Sequence, residues 1–360
     1  MNCKNYYVIN IVNFSFNIIQ LILQIILLYF THNYVIYLLI NIIYTFSVNI
    51  VISIIVNIKY PFLRINKKEK LDNKEKKHIM KNVSYIMVSK ISGVLVNNTD
   101  NIIISSLNGL KDVGLTSNYT MITNAFNQLL NQVFNSITAS VGNLNADLKD
   151  RKHSYEVFKV LNLMNFWLYG FTAIAFCLMA NELITIWIGE EYCLSFMVLI
   201  TLAINYYIVG MQNAIWVYKN TMGLFKYGRY ILFFTAFLNI VLSLFLGSKY
   251  GLFGIFLATI IARLLTNVWY DPYVIYKYGL HKNPFIYLKR YLYFFITIII
   301  STLITYFLLR WFIVSNIYIN FIIHFFIVLI IPNLVFVLMI FKFSEFKYVK
   351  NLIDSILKKC

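Results

Sequence analysis

The chain carries little charge for its length. Only 12% of its 360 residues are Asp, Glu, Lys or Arg, whereas 60% are hydrophobic. A soluble domain has about 25% charged residues, so this composition excludes an ordinary soluble protein. Apolar runs long enough to cross a bilayer recur along the whole chain. Together these features predict an all-α, polytopic membrane protein.

The sequence also lacks the usual signatures of a metal site or a catalytic centre. Its four cysteines, Cys3, Cys177, Cys193 and Cys360, have no paired spacing, which argues against a disulfide framework and a zinc site. A Walker-type glycine loop, HExxH and GxSxG are all missing. We therefore expect a transporter rather than an enzyme, without a cofactor and driven by a proton or sodium gradient or by the substrate gradient itself.

Ten membrane spans are predicted, at residues 6–30, 34–58, 83–105, 115–138, 160–180, 193–217, 230–246, 252–270, 291–309 and 318–341. If both termini lie in the cytoplasm, the regions on that side carry a net charge of +17, and the opposite loops carry −1. Basic residues prefer the cytoplasmic side of a membrane protein. The sequence thus predicts cytoplasmic termini, and topology rather than nucleic-acid binding explains the charge.

Two basic segments flank the predicted spans. Residues 59–82 form the longest and most charged polar stretch, which predicts a cytoplasmic linker with affinity for anionic lipid. Residues 342–360 alternate apolar and basic positions with helical spacing, which predicts an amphipathic helix on the inner membrane surface.

Polar residues follow one face of three predicted spans. On the fourth span, seven of them fall within roughly 100° of one another on a helical wheel: Thr120, Asn124, Asn127, Gln128, Asn131, Asn135 and Thr138. On the first span the set is Asn10, Asn13, Asn17, Gln20 and Gln24. Amides in lipid need hydrogen-bond partners. Two interpretations stay open, helix–helix packing and the lining of an aqueous cavity.

Three charges lie inside predicted spans. On the third span, Lys90 shares a line with Asn97 and Asn101, and Asp100 lies to one side. Lys90 is interpreted either as an ion-pair partner, of Asp100 or of a neighbouring helix, or as an anchor for an anionic substrate. Asp100 is a candidate proton- or sodium-linked carboxylate. Arg263, on the eighth span, is expected to extend to the inner surface or to attract substrate.

Several segments of the sequence resemble a known family. The resemblance is carried by four segments in this order: NNTDNIIISSLNGLKDVGLTSNYTMITNAFNQLLNQVFNSITASVGNLNAD, LITIWIGEEY, NTMGLFKYGRY and YGLFGIFLATIIARLLTNVWYDPYVIYKYGL. The ordered set, across about residues 83–280, is similar to bacterial polysaccharide-repeat-unit flippases. These are the Wzx-type O-antigen and capsule translocases of the multidrug/oligosaccharidyl-lipid/polysaccharide exporter superfamily.

The resemblance implies a MATE-like exporter fold of two six-helix lobes around a central cavity. In that alignment, residues 1–58 are the two remaining helices of the first lobe and residues 59–82 the inter-lobe linker. Residues 83–275 are the second lobe, residues 276–341 two additional helices, and residues 342–360 the basic tail. The first lobe is thus expected to lack four helices.

The implied function is to flip an undecaprenyl-diphosphate-linked oligosaccharide across the bacterial cytoplasmic membrane, for capsule or O-antigen lipopolysaccharide. The implied partners are membrane lipid, the lipid-linked oligosaccharide, and polysaccharide polymerase and chain-length machinery. The cavity candidates are Lys90, Asn97, Asp100, Asn101, Asn124, Gln128, Asn131, Asn135 and Arg263. Alternatives are a drug or small-cation exporter of the same superfamily, a polysaccharide polymerase or ligase, and a non-transporting scaffold. The lack of a large outer loop counts against a polymerase.

Overall fold

A computed structural model describes residues 6–59, 61, 72–146, 151–228 and 230–349 of the chain. Within these residues the regular structure is helical. The helices are α1 (Tyr6–Thr31), α2 (Tyr34–Lys59), α3 (Asn73–Leu107), α4 (Leu110–Ala146), α5 (Arg151–Trp187), α6 (Phe196–Met211), α7 (Asn213–Thr221), α8 (Ile231–Leu265), α9 (Asn267–Val274), α10 (Phe285–Trp311) and α11 (Ile317–Ile340). The predicted all-α class is confirmed.

Eight helical segments of the described residues are long and apolar enough to cross a membrane. The sequence predicts ten spans, and two helices explain the difference. The amides of α4 lower its hydropathy, so that it is not among the eight. The segment Ile231–Gly279 contains two predicted spans, because the chain bends sharply inside α8 at Gly251.

The bend in α8 depends on glycine. Gly251 has φ 58° and ψ −139°, a conformation that side chains with a Cβ rarely adopt. At Gly254 a Cβ atom would lie 2.1 Å from the carbonyl oxygen of Leu246. The two arms of α8 therefore approach each other closely only because these positions have no side chain.

The chain divides into two compact units, residues up to Lys77 and residues from His78 onward. The division falls within the segment predicted as a linker. In the first unit, α1 and α2 form an antiparallel pair. The amide of Gln24 donates to Asn41 Oδ1 at 3.0 Å, and Gln20 donates to the same oxygen. These two amides of the first-span stripe therefore hold neighbouring helices together, which agrees with the packing interpretation.

The second unit is organised around α5. This 37-residue helix packs against α4, α6, α7, α10 and α11. Its buried aromatic rings fix these neighbours: Phe166 stacks on Phe294 of α10 with ring centroids 4.2 Å apart, and Phe158 meets Tyr218 of α7 at 4.9 Å. Sixteen of its residues are buried, as expected of a helix at a central position.

Both basic segments differ from their predictions in part. Helix α3 begins at Asn73, ten residues before the predicted span, so the second half of the predicted linker is helical. In the predicted tail, residues 344–349 are helical. Phe346 stacks on Trp167 of α5 with parallel rings 6.1 Å apart. This part of the tail docks on the helix bundle, and residues 350–360 lie outside the described chain.

Candidate functional site

The amides of the α4 stripe are on the surface of the second unit. Asn124, Gln128, Asn131 and Asn135 are all exposed, as is Gln132 beside them. Three members of the stripe are partly buried: Asn127 and the two end residues, Thr120 and Thr138. One helix of membrane length thus presents a continuous row of uncharged hydrogen-bonding groups.

The adjacent face of α4, centred about 100° from the stripe, explains why the amides lie at the edge of the core. Tyr119, Leu130, Phe134 and Val141 are buried in the hydrophobic core against α5 and its neighbours. The Tyr119 hydroxyl also donates to Asn181 Oδ1 of α5 at 2.5 Å. Because these apolar residues recur with helical spacing, burying them leaves the amides beside the core at the surface of the unit.

One amide of the stripe is held by the neighbouring helix. Asn213, the first residue of α7, donates to Asn131 Oδ1 at 3.3 Å and to the hydroxyl of Tyr169 at 2.5 Å. The Tyr169 ring in turn lies directly over Gly210, where a Cβ would come within 2.0 Å of it. The stripe is therefore attached at its middle to the rigid core of the unit.

The polar residues of α3 do not all lie together. Lys90 and Asn101 are exposed, whereas the side chain of Asn97 lies outside the described part of the chain. Lys90 does not pair with Asp100, because ten residues of helix separate them by about 15 Å along the axis. Among the described residues, Lys90 has no ion-pair partner.

Asp100 and Arg263 are buried instead of facing an open cavity. Their exposed fractions are 8% and 5%. Thr259 of α8 donates to Asp100 Oδ2 at 3.0 Å, and Asn239, from the other arm of α8, donates to Thr259 at 2.7 Å. Arg263 is close enough for its charge to act on the Asp100 carboxylate.

This cluster corrects the predicted snorkelling of Arg263, since the guanidinium stays inside the unit. A buried charge is tolerated when an opposite charge and hydrogen bonds compensate it. For Asp100 the hydrogen bond comes from Thr259 and the opposite charge from Arg263 nearby. The cluster therefore joins α3 to both arms of α8, and the sequence alone did not reveal Asn239 or Thr259 as its members.

A family model described as "Polysaccharide biosynthesis protein" matches residues 3–198, more than half of the chain. The chain belongs to this family. No curated protein gives a significant match.

The fold of this family member is similar to a solved structure described as lipid II flippase MurJ in its inward closed conformation. The TM-score is 0.54 and the sequence identity 17%, and the match covers 84% of this chain and 60% of the MurJ chain. The family confirms the predicted link to polysaccharide biosynthesis, and the solved structure shows a fold like that of MurJ.

Further ion pairs in this polysaccharide biosynthesis protein were not predicted. Lys219 of α7 contacts Asp271 of α9 at 2.6 Å, and both side chains are largely buried. His324 of α11 lies 2.6 Å from Glu182 of α5. Each pair joins two helices that are distant in sequence, so spacing along the chain gives no signal for it.

The chemistry available at the stripe is hydrogen bonding. Amide side chains both donate and accept, which suits the hydroxyl groups of a sugar. In the described part of the chain, His, Cys, Asp and Glu do not gather in any group of three or more that would hold a metal ion. The stripe is therefore suited to bind a polar, uncharged surface of a substrate.

Proposed function

We propose that this protein moves an oligosaccharide linked to undecaprenyl diphosphate across the bacterial cytoplasmic membrane. The repeat unit would serve capsule or O-antigen synthesis, with polymerase and chain-length machinery acting after it. The observation that carries the proposal is the exposed amide stripe of α4 in a protein of this family. The distribution of basic residues supports cytoplasmic termini.

In this proposal each chemical part of the substrate has its own partner. The amides from Asn124 to Asn135 exchange hydrogen bonds with sugar hydroxyls during transit. Lys90 attracts the diphosphate, because it is an exposed cation within a membrane-length helix. Asp100 and Arg263 position α3 against α8 and are assigned no contact with substrate. The lipid tail stays in the bilayer.

The stripe is tested by cysteine accessibility. After replacement of the four native cysteines, single cysteines are placed at Asn124, Gln128, Asn131 and Asn135. We expect a membrane-impermeant maleimide to label them from at least one side of the membrane, because a cavity that binds sugars is hydrated.

The matched controls use the same helix. A cysteine at Phe134, which is 4% exposed, should resist labelling in the folded protein. A cysteine at Leu129, which is 69% exposed but lies outside the stripe, should remain unlabelled if that side faces lipid. Absence of labelling at all four amide positions from both sides would refute the hydrated-cavity proposal.

The substrate class is tested in cells. A deletion strain should accumulate the lipid-linked oligosaccharide on the cytoplasmic side, and the wild-type gene should relieve this. Lys90→Ala should restore transport poorly, whereas Lys90→Arg should restore it, since the charge is retained. Lys81→Ala, at an exposed lysine nearer the start of α3, is the control. Normal oligosaccharide levels in the deletion strain, together with altered sensitivity to cationic drugs, would instead indicate a drug exporter.

A further inference from the structure

A second feature of the second unit is an apolar groove between α5, α6 and α10. Its volume is about 400 Å³. Ile200 and Ala203 of α6 form one wall, and Ile299 and Leu303 of α10 form another. Thr302 is among the few polar residues of the lining, and its hydroxyl already donates to the carbonyl of Ile298 at 2.8 Å. The groove offers almost no hydrogen bonds, so it suits a hydrocarbon chain and not a sugar.

The length of the groove matches one leaflet of a bilayer. Along α10 its lining extends from Phe295 to Tyr306, which is about 16 Å of helix. Half of a hydrocarbon core of about 30 Å is about 15 Å. Because α5, α10 and the segment Phe196–Thr221, which contains α6, are long and apolar enough to cross a membrane, the groove has the length to lie along the acyl chains of one leaflet.

A cation marks one end of the groove. The guanidinium of Arg310 lies over the ring of Tyr306, 5.2 Å from its centroid. Tyr306 itself forms the end of the lining and stacks on Phe196 at 6.0 Å. Arg310 is exposed and is followed by Trp311, which is 83% exposed. An arginine beside a tryptophan at the end of a membrane helix is typical of the headgroup level.

We propose that this groove binds one anionic membrane phospholipid, with an acyl chain in the groove and its phosphate at Arg310. Arginine matches the geometry of phosphate oxygens, and basic residues at such a level recognise anionic headgroups. An ordinary acyl chain fits a groove one leaflet long, whereas an undecaprenyl chain is much longer than a leaflet. The bound lipid is therefore assigned to the bilayer and not to the substrate of the α4 stripe.

The proposal is tested by native mass spectrometry of the full chain after delipidation, titrated with dioleoyl-phosphatidylglycerol. Ile299→Trp fills the groove and should weaken binding of the first lipid about tenfold or more, because buried methylenes are lost. Ile296→Trp is the matched control: Ile296 lies on the same helix and is 45% exposed, against 44% for Ile299, but does not line the groove.

The headgroup is tested separately. Arg310→Gln should weaken phosphatidylglycerol binding about fivefold. Lys249→Gln should leave it unchanged, since Lys249 also lies over an aromatic ring, that of Phe245, but is remote from the groove lining. Equal binding by Ile299→Trp and Ile296→Trp, or by Arg310→Gln and Lys249→Gln, would overturn the proposal.

Two measurements on the wild-type chain do not depend on the folding of any variant. Phosphatidylglycerol with a photoreactive acyl chain should label Ile299 and Leu303 in preference to Ile296. Even labelling around α10 would overturn the assignment. Undecaprenyl phosphate added in competition should fail to displace the phospholipid, and displacement at a lower concentration would assign the groove to the substrate carrier instead.

Discussion

The buried pair of Lys219 and Asp271 allows the most quantitative prediction. Lys219 Nζ lies 2.6 Å from Asp271 Oδ1, and the two side chains are 13% and 1% exposed. Removing the lysine leaves a carboxylate without a counter-charge inside the protein. Loss of one partner of a buried pair costs about 3–5 kcal/mol.

Protonation of the carboxylate limits the cost of removing the lysine. An isolated carboxyl group can escape the penalty by taking up a proton. For an aspartate of ordinary pKa, about 3.9, neutralisation at pH 7 costs about 4 kcal/mol. We therefore expect Lys219→Met to lower the free energy of unfolding by about 3–4 kcal/mol. Replacement of both residues by apolar ones, Lys219→Met with Asp271→Leu, should recover most of the loss.

The assay is equilibrium unfolding of the purified protein in increasing SDS, followed by far-ultraviolet circular dichroism. Lys226→Met serves as the control, because Lys226 is an exposed lysine close to the same helix. If Lys219→Met were no more destabilising than Lys226→Met, or if the double variant were less stable than Lys219→Met alone, the reasoning about the buried pair would be refuted.

Three further predictions use the same unfolding assay. Gly210→Ala should lower stability by about 1–3 kcal/mol, because its Cβ would meet the ring of Tyr169; an unchanged midpoint would contradict that packing. Asp100→Asn should lower the free energy of unfolding by roughly 3 kcal/mol, because it removes the negative charge that acts on Arg263. A second change, Arg263→Gln, should restore part of this stability. If the stability losses of the two single variants simply added in the double variant, the two charges would not be coupled. Burial opposes ionisation of Glu345, but the charge and hydrogen bond of Arg290, at 2.7 Å, hold the pKa of Glu345 below its ordinary value. The ionised carboxylate therefore stabilises the protein above about pH 4.3, and this contribution is lost as pH falls through the lowered pKa. Glu345→Gln should remove this acid dependence from the unfolding midpoint.

The class of the protein and the orientation of α4 could be derived from the sequence. Membrane-length apolar runs define the spans, and each span forms a helix because lipid offers no partner for its backbone. The 3.6-residue period then places Asn124, Gln128, Asn131 and Asn135 on one side and Leu130 and Phe134 on another. The structure has the amides exposed and these two apolar residues buried. Contact between this stripe and a substrate remains a prediction.

Only the tertiary structure decided which charges are paired. Thr259 and Asp100 are 159 positions apart in sequence, so no spacing along the chain indicates their contact. Periodicity describes one helix at a time, so it could not tell which of the cavity candidates Lys90, Asp100 and Arg263 lie together. Packing separates them: it buries Asp100 with Arg263 and leaves Lys90 exposed, because a buried charge requires a partner that only a neighbouring helix provides.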